Sequence, residues 1–229
     1  MLDMPVELKK YYTSMKNSLY IKISNEHNIL APSVAAKLNK LNQITSGFVI
    51  DTEVQNKNDL FGTTDKEWYL LSTYRFDALN KLLLSEPFVN EQVIIWANYR
   101  HEFELIKKQY GSKCACIYGG IPIQEKNTAI TDFKAGKIQY LIANPASADK
   151  GLTLTNCHLC IYFSLGYSYE HYKQSTERIY ADKAIQPKHC DYYILMAKGT
   201  IDKIIYSEVL AGKQDASYAI LNHLKPEDT

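Results

Sequence analysis

The sequence predicts an α/β fold, a doubly wound parallel sheet with helices on both faces, preceded by an N-terminal helical segment. Two observations carry that expectation. From Ser72 onward, short and continuously apolar runs alternate with amphipathic segments of helical period, which is the pattern of strands buried on both faces by crossover helices. The chain of 229 residues, 46% apolar and 22% charged, is also long enough to bury a substantial core as one or two domains.

Residues 5–23 place Val6, Leu8, Tyr12, Met15, Leu19 and Ile23 at helical spacing behind Pro5, a residue suited to a first helical turn. A second helix is predicted over residues 32–44, with Val34, Leu38 and Leu41 on one face and Gly47 as its stop. Residues 51–66 are polar and read as an exposed loop or hairpin. Helices are then predicted over 74–84, 100–110, 124–134, 169–180 and 201–210, and strands over 92–97, 114–118, 139–143, 159–163 and 190–196. The expected division is a helical lead-in with its loop over 1–66 and a sheet domain over 67–229.

Composition excludes several classes. Lys and Arg total 26 against 25 Asp and Glu, a net charge of +1, so no overall basic excess marks the chain for nucleic acid, and phosphate contacts must come from a local patch. Five cysteines form no regular disulfide framework. Cys157 and Cys160 have C-x-x-C spacing, yet they sit in an apolar strand pattern with Leu159, Ile161 and Tyr162. Buried hydrophobic thiols are expected there, and no metal site. With no signal peptide and no membrane-length apolar run, a soluble intracellular chain without membrane contact is expected.

In doubly wound sheets ligands bind beyond the carboxyl ends of the strands. That rule selects the loops at Asn98-Tyr99-Arg100, Tyr118-Gly119-Gly120, Asn144 to Gly151, and Ser164 to Ser168. Asn98, Tyr99 and Arg100 stand where a strand meets a helix, a place suited to gripping a phosphate, with an ordinary helix cap by Asn98 as the alternative. Asn144, Ser147, Thr153 and Thr155 read either as caps and turn residues or as contacts to a nucleic-acid backbone, which position without reading bases. Tyr162, Tyr167, Tyr169 and Tyr172 cluster near the same edge. They suit packing with a hydrogen-bonded tip, or stacking on bases.

Several of these segments, in order, resemble the second RecA-like lobe of superfamily-two helicases, and among them the Swi/Snf-type ATPases. Leu41-Asn42-Gln43-Ile44-Thr45-Ser46-Gly47 resembles that family's L-R-Q-I-x-x-G helix end. Ser72-Thr73-Tyr74-Arg75-Phe76-Asp77-Ala78-Leu79 resembles its S-x-K-x-x-x-L, and residues 93–99 resemble its motif IV strand. Gly151-Leu152-Thr153-Leu154-Thr155 and the helix bearing Gln174 and Arg178 continue the series. The resemblance implies a RecA-like fold and phosphate roles for Gln174 and Arg178. It also implies a nucleotide approach at Asp149 and Gly151.

The family's Q-x-x-x-R-x-x-R places a second arginine three residues after the first, where this chain has Ala181. Aligning backward from Gln186 instead puts Lys183 there, and a point charge would replace a planar fork. Both registers stay open. The sequence contains no G-x-x-x-x-G-K-[ST] phosphate loop, so ATP and Mg²⁺ are expected only in a two-lobe enzyme whose N-terminal RecA-like lobe is the partner. DNA, duplex and without sequence specificity, is the nucleic acid the resemblance implies. The alternative is a non-catalytic binding module that keeps the lobe's fold, and Ala181 is its support.

Overall fold

The computed structural model describes residues 1–24, 27–51, 67–147, 153–180 and 189–212. Two compact units emerge: one takes in Met1–Arg75 and Met196–Ile204, the other Phe76–Leu195 and the residues from Ile205 to 212.

The first unit opens with α1 (Val6–Ser18), whose Leu8, Tyr12 and Met15 are buried at helical spacing. The predicted helix over 5–23 ends early. Leu19 turns into the left-handed region at φ 61°, and the chain continues as β1 (Tyr20–Lys22), paired antiparallel with β2 (Asn28–Leu30). Ile21 and Ile29 face each other in register and both are fully buried, so the apolar spacing that suggested more helix serves a hairpin. Helix α2 (Val34–Ser46) starts at Ser33, whose hydroxyl accepts from Ala36 N–H at 3.1 Å.

Gly47 ends α2 at φ 95°. Its carbonyl accepts from the N–H groups of Leu71 and Ser72 at 2.8 and 2.9 Å, and a Cβ there would lie 2.1 Å from the Ser72 carbonyl oxygen. Only glycine satisfies both the backbone angle and that approach. The hairpin of β3 (Phe48–Ile50) with β4 (Trp68–Leu70) follows. The loop expected over 51–66 lies, Asp51 apart, outside the described residues.

A buried polar knot holds this unit. Arg75, 0% exposed, pairs through its guanidinium with the Asp202 carboxylate. The same carboxylate accepts from Thr45 Oγ1 at 2.9 Å and from Ala197 N–H at 2.8 Å. Tyr12 adds a further tie, its hydroxyl accepting from Ile201 N–H at 2.8 Å, and burial raises that phenol's pKa.

The second unit is the predicted sheet. Helix α3 (Tyr74–Leu83) leads in, followed by β5 (Val93–Trp96), α4 (Arg100–Tyr110), β6 (Cys114–Ile117), α5 (Ile123–Lys134) and β7 (Tyr140–Ala143). Then come β8 (Leu159–Tyr162), α6 (Tyr169–Glu177), β9 (Asp191–Ile194) and α7 (Ile201–Leu210). The five strands run parallel in the order β6-β7-β5-β8-β9. Every residue of the central strands β5, β7 and β8 is buried, which accounts for their unbroken apolar sequence. Helices flank this sheet, a RecA-like fold. Helix α6 ends at Glu177 rather than 180. No helix among the described residues is long and apolar enough to cross a membrane.

Replacing Asp202 with alanine would strand the Arg75 guanidinium inside the protein without its anion. Loss of one partner of a buried pair costs about 3–5 kcal/mol. Urea unfolding of Asp202→Ala should show that loss, and a midpoint unchanged from the native chain would refute the knot's role.

Candidate functional site

The strand register fixes where the site is. Trp96 pairs level with Ala143 on one side and Tyr162 on the other, and Ala143 with Ile117, so the loops leave the sheet from one edge, its carboxyl end. At the opposite edge Gln92 closes the sheet, donating to the carbonyls of Phe133 and Ile138 at 2.6 and 3.0 Å.

The carboxyl-end loops are tied by one carboxylate. Glu102, in the first turn of α4 and 0% exposed, accepts at a single oxygen from Asn98 N–H at 2.9 Å, Tyr99 N–H at 3.1 Å and Ser164 Oγ at 2.7 Å. Its negative charge lies at a helix N-terminus, where the backbone dipole favours it. The Asn98 amide donates to the Ser164 carbonyl at 2.8 Å and Oγ at 3.1 Å. Asn144 extends the network by donating to the carbonyls of Ala97 and Asn98, each at 3.3 Å, while its own Oδ1 accepts from Ala146 N–H at 2.9 Å. Loops after β5, β7 and β8 are thereby joined.

The helix cap expected from Asn98 is not made. Tyr99 is the capping residue of α4, and its N–H is held by Glu102, because the Asn98 side chain is committed to Ser164. Ser164 opens one of the loops the sequence selected, whereas Glu102 was not among the residues it singled out. The available signal was glutamate at the third helical position, the reciprocal half of a capping box.

Arg100 is exposed and pairs with Glu104 at 3.3 Å. Ser147 ends the short turn after Asn144, its N–H donating to the Asn144 carbonyl at 3.0 Å, and its carbonyl accepts from Lys126 Nζ at 3.2 Å. Thr153 and Thr155 form a second group. Leu154, between them, donates its N–H to the Arg178 carbonyl at 2.8 Å, which brings this segment to the end of α6. Arg178 is 8% exposed. Gln174, half-buried one turn earlier, donates to Glu170 at 2.9 Å. Asp149, Gly151, Lys183 and Ala181 lie outside the described residues.

Among the tyrosines, Tyr162 is buried, stacks 6.4 Å from Trp96 and shares a 2.6 Å hydrogen bond with Ser175. Burial raises its pKa and that of Tyr172, whose ring centroid lies 5.2 Å away. Tyr167 and Tyr172 also line a cavity of about 190 Å³ beside Asn98, Ser164 and Gly166.

Cys114, Cys157 and Cys160 are core residues, and Cys116 and Cys190 are half-buried. Cys157 and Cys160 are 1% and 0% exposed, and the Cys157 thiol lies 3.1 Å from the Gln92 carbonyl oxygen. Burial pushes the Cys116 and Cys157 thiols up to about 12.

Residues 74–181 match the family described as "Helicase conserved C-terminal domain". With the RecA-like sheet, that match supports the reading of a C-terminal helicase lobe. The chain is 26% identical over 212 residues to protein p41 of Acyrthosiphon pisum secondary endosymbiont phage 1, covering 89% of this chain and 41% of p41. It is 32% identical over 91 residues to the ATP-dependent RNA helicase DBP3 of Saccharomyces cerevisiae, covering 38% of this chain and 17% of that helicase. The chain thus spans under half the length of these relatives. Among solved structures, the C-terminal part of the Fun30 ATPase domain superposes with a TM-score of 0.54 at 19% identity, covering 66% of this chain and 52% of that one, a likeness of fold.

Two outcomes follow from the site's chemistry. Glu102→Ala leaves three donors without their shared acceptor and should lower stability by roughly 3 kcal/mol, with Glu102→Gln intermediate, in urea unfolding. At pH 8, iodoacetamide should modify Cys157 roughly a thousandfold more slowly in the folded than in the unfolded chain, because a thiol near 12 is scarcely ionised there. Peptide mapping by mass spectrometry reads that ratio, and equal rates would mean that the thiol is not held in the core.

Proposed function

We propose that this lobe is the C-terminal half of a DNA-dependent ATPase of the Swi/Snf type, a translocase, working with an N-terminal RecA-like lobe that holds ATP and Mg²⁺. The observation that carries the reading is the gathering of the Asn98–Arg100 and Asn144–Ser147 loops at the carboxyl end of the sheet, joined by hydrogen bonds, within the stretch that matches the helicase family. The exposed Arg100 and the Ser147 hydroxyl suit the phosphates of a strand and carry little base specificity. In this reading Thr153 and Thr155 extend the same track.

Gln174 and Arg178 are the described residues whose chemistry suits the nucleotide's phosphates, with Lys183, Asp149 and Gly151 assigned to the same task by resemblance alone. The Arg178 guanidinium is largely shielded from water, and a cation so placed acts on a phosphate more strongly than an exposed one. Bound Mg²⁺-ATP would supply the phosphoryl group, with charge to be stabilised as it transfers. The residues of this lobe would orient the phosphates and offset that charge. RNA is a second strand chemistry, because proteins named ATP-dependent RNA helicase DBP3 are among the relatives.

Mg²⁺-ATP turnover, measured on the intact gene product with duplex DNA, single-stranded DNA, RNA or no nucleic acid, tests the reading. The 229-residue chain alone should stay at background. The two-lobe enzyme should be stimulated by duplex DNA, and Arg178→Ala or Lys183→Ala should reduce its turnover by at least about a hundredfold, the order expected for loss of a phosphate-contacting cation. Background turnover under every condition would leave the binding-module alternative, and stimulation by RNA alone would change the strand.

A further inference from the structure

The orientation of the Asn98 amide is settled by its partner. Nδ2 donates to the Ser164 carbonyl at 2.8 Å, and a carbonyl oxygen cannot donate back, so Oδ1 is the acceptor end. No donor among the described residues hydrogen-bonds to that Oδ1. It lies beside Gly166, where an added Cβ would sit 2.9 Å from it. Asn98 and Gly166 both line the 190 Å³ cavity, whose other walls include Tyr167, His171 and Tyr172.

We propose that this cavity receives a single unpaired nucleobase carrying an amino group, with Asn98 Oδ1 accepting from the amine and the tyrosines walling the ring. The inference rests on the nucleic-acid reading above, which sets a strand's phosphates along the neighbouring loops. Size, wall and polarity each select the ligand. About 190 Å³ suits one planar ring system better than a drug-sized or chain-like molecule. Aromatic walls favour a π-face, a property every base has. A fixed acceptor repels phosphate and carboxylate and calls for a donor, which the amino group of adenine, cytosine or guanine provides. Glu102 and Ser164 make the acceptor rigid before any ligand arrives, and Gly166 leaves it uncovered.

The test uses the full ¹⁵N-labelled chain titrated with adenosine and with purine riboside, which has the same rings without the amine. Adenosine should shift the Asn98 side-chain amide and the Gly166 backbone amide, and purine riboside should bind about tenfold more weakly, as loss of one hydrogen bond implies. Gly166→Ala, which sets a methyl group against Oδ1, should abolish the adenosine response. Equal affinity for the two nucleosides, shifts that map elsewhere, or an unaffected Gly166→Ala chain would overturn the proposal, and the nucleoside comparison needs no substitution. Oligonucleotide binding by fluorescence polarisation runs in parallel. A chain that binds oligonucleotide but ignores adenosine overturns the base cavity alone, and one that binds neither overturns the nucleic-acid reading with it.

Discussion

A carboxylate buried among loops is stable only when donors converge on it, and the Glu102 side chain meets three that come from two different loops. This interaction sets the geometry of the carboxyl end of the sheet. Without it, residues 97–99 and Ser164 would be separate surface connections, each free to adopt its own conformation at an entropic gain. With it, the Asn98 amide has one orientation, Asn144 finds two carbonyls at fixed positions, and the cavity beside Gly166 has a defined wall. The parallel strand register supplies the level edge, and Glu102 turns that edge into a site.

The knot in the first unit follows the same rule with opposite sign. The buried Arg75 guanidinium is held by a carboxylate that also accepts from a hydroxyl and a backbone N–H. Arg75 lies within the segment that resembles the family's S-x-K-x-x-x-L, and here its visible role is structural. A planar guanidinium can satisfy several acceptors at once, whereas an ammonium is more costly to bury. This accounts for arginine at a fully buried position in this chain.

What the sequence made legible tracks the physics that made it so. From Tyr74 onward every strand and helix falls within a few residues of its expected bounds, because strands buried on both faces read as apolar runs and the helices between them keep a 3.6-residue period. The hairpins of the first unit were less visible. Strands of three residues are too short to establish a two-residue alternation, and Leu19 and Ile23, on either side of β1, continue the preceding helical spacing. The ordered segments pointed to the helicase lobe, and the RecA-like fold and the family match over residues 74–181 support that coarser reading. Glu102 escaped notice because a glutamate in a first helical turn is ordinary, and its importance arises only when Ser164, 62 residues later, folds against it. Long-range pairing of that kind leaves no periodic trace.

The two groups of candidate residues differ in what anchors them, and this bears on how the lobe could act. Asn98 and Asn144 are fixed by side-chain bonds among loops of the central strands, and Ser147 by its own main chain, bonded to the Asn144 carbonyl and to Lys126 of α5. Thr153 and Thr155 flank a backbone bond from Leu154 to the Arg178 carbonyl, and α6 is in turn pinned to β8 through the bond between Ser175 and Tyr162. Residues 153–155 are therefore tied directly to the residue that carries the Arg178 guanidinium, separately from the Glu102-bound loops. Because the Leu154–Arg178 bond is made by main-chain atoms, it survives substitution of either side chain, so a variant at Arg178 removes the charge without cutting the connection.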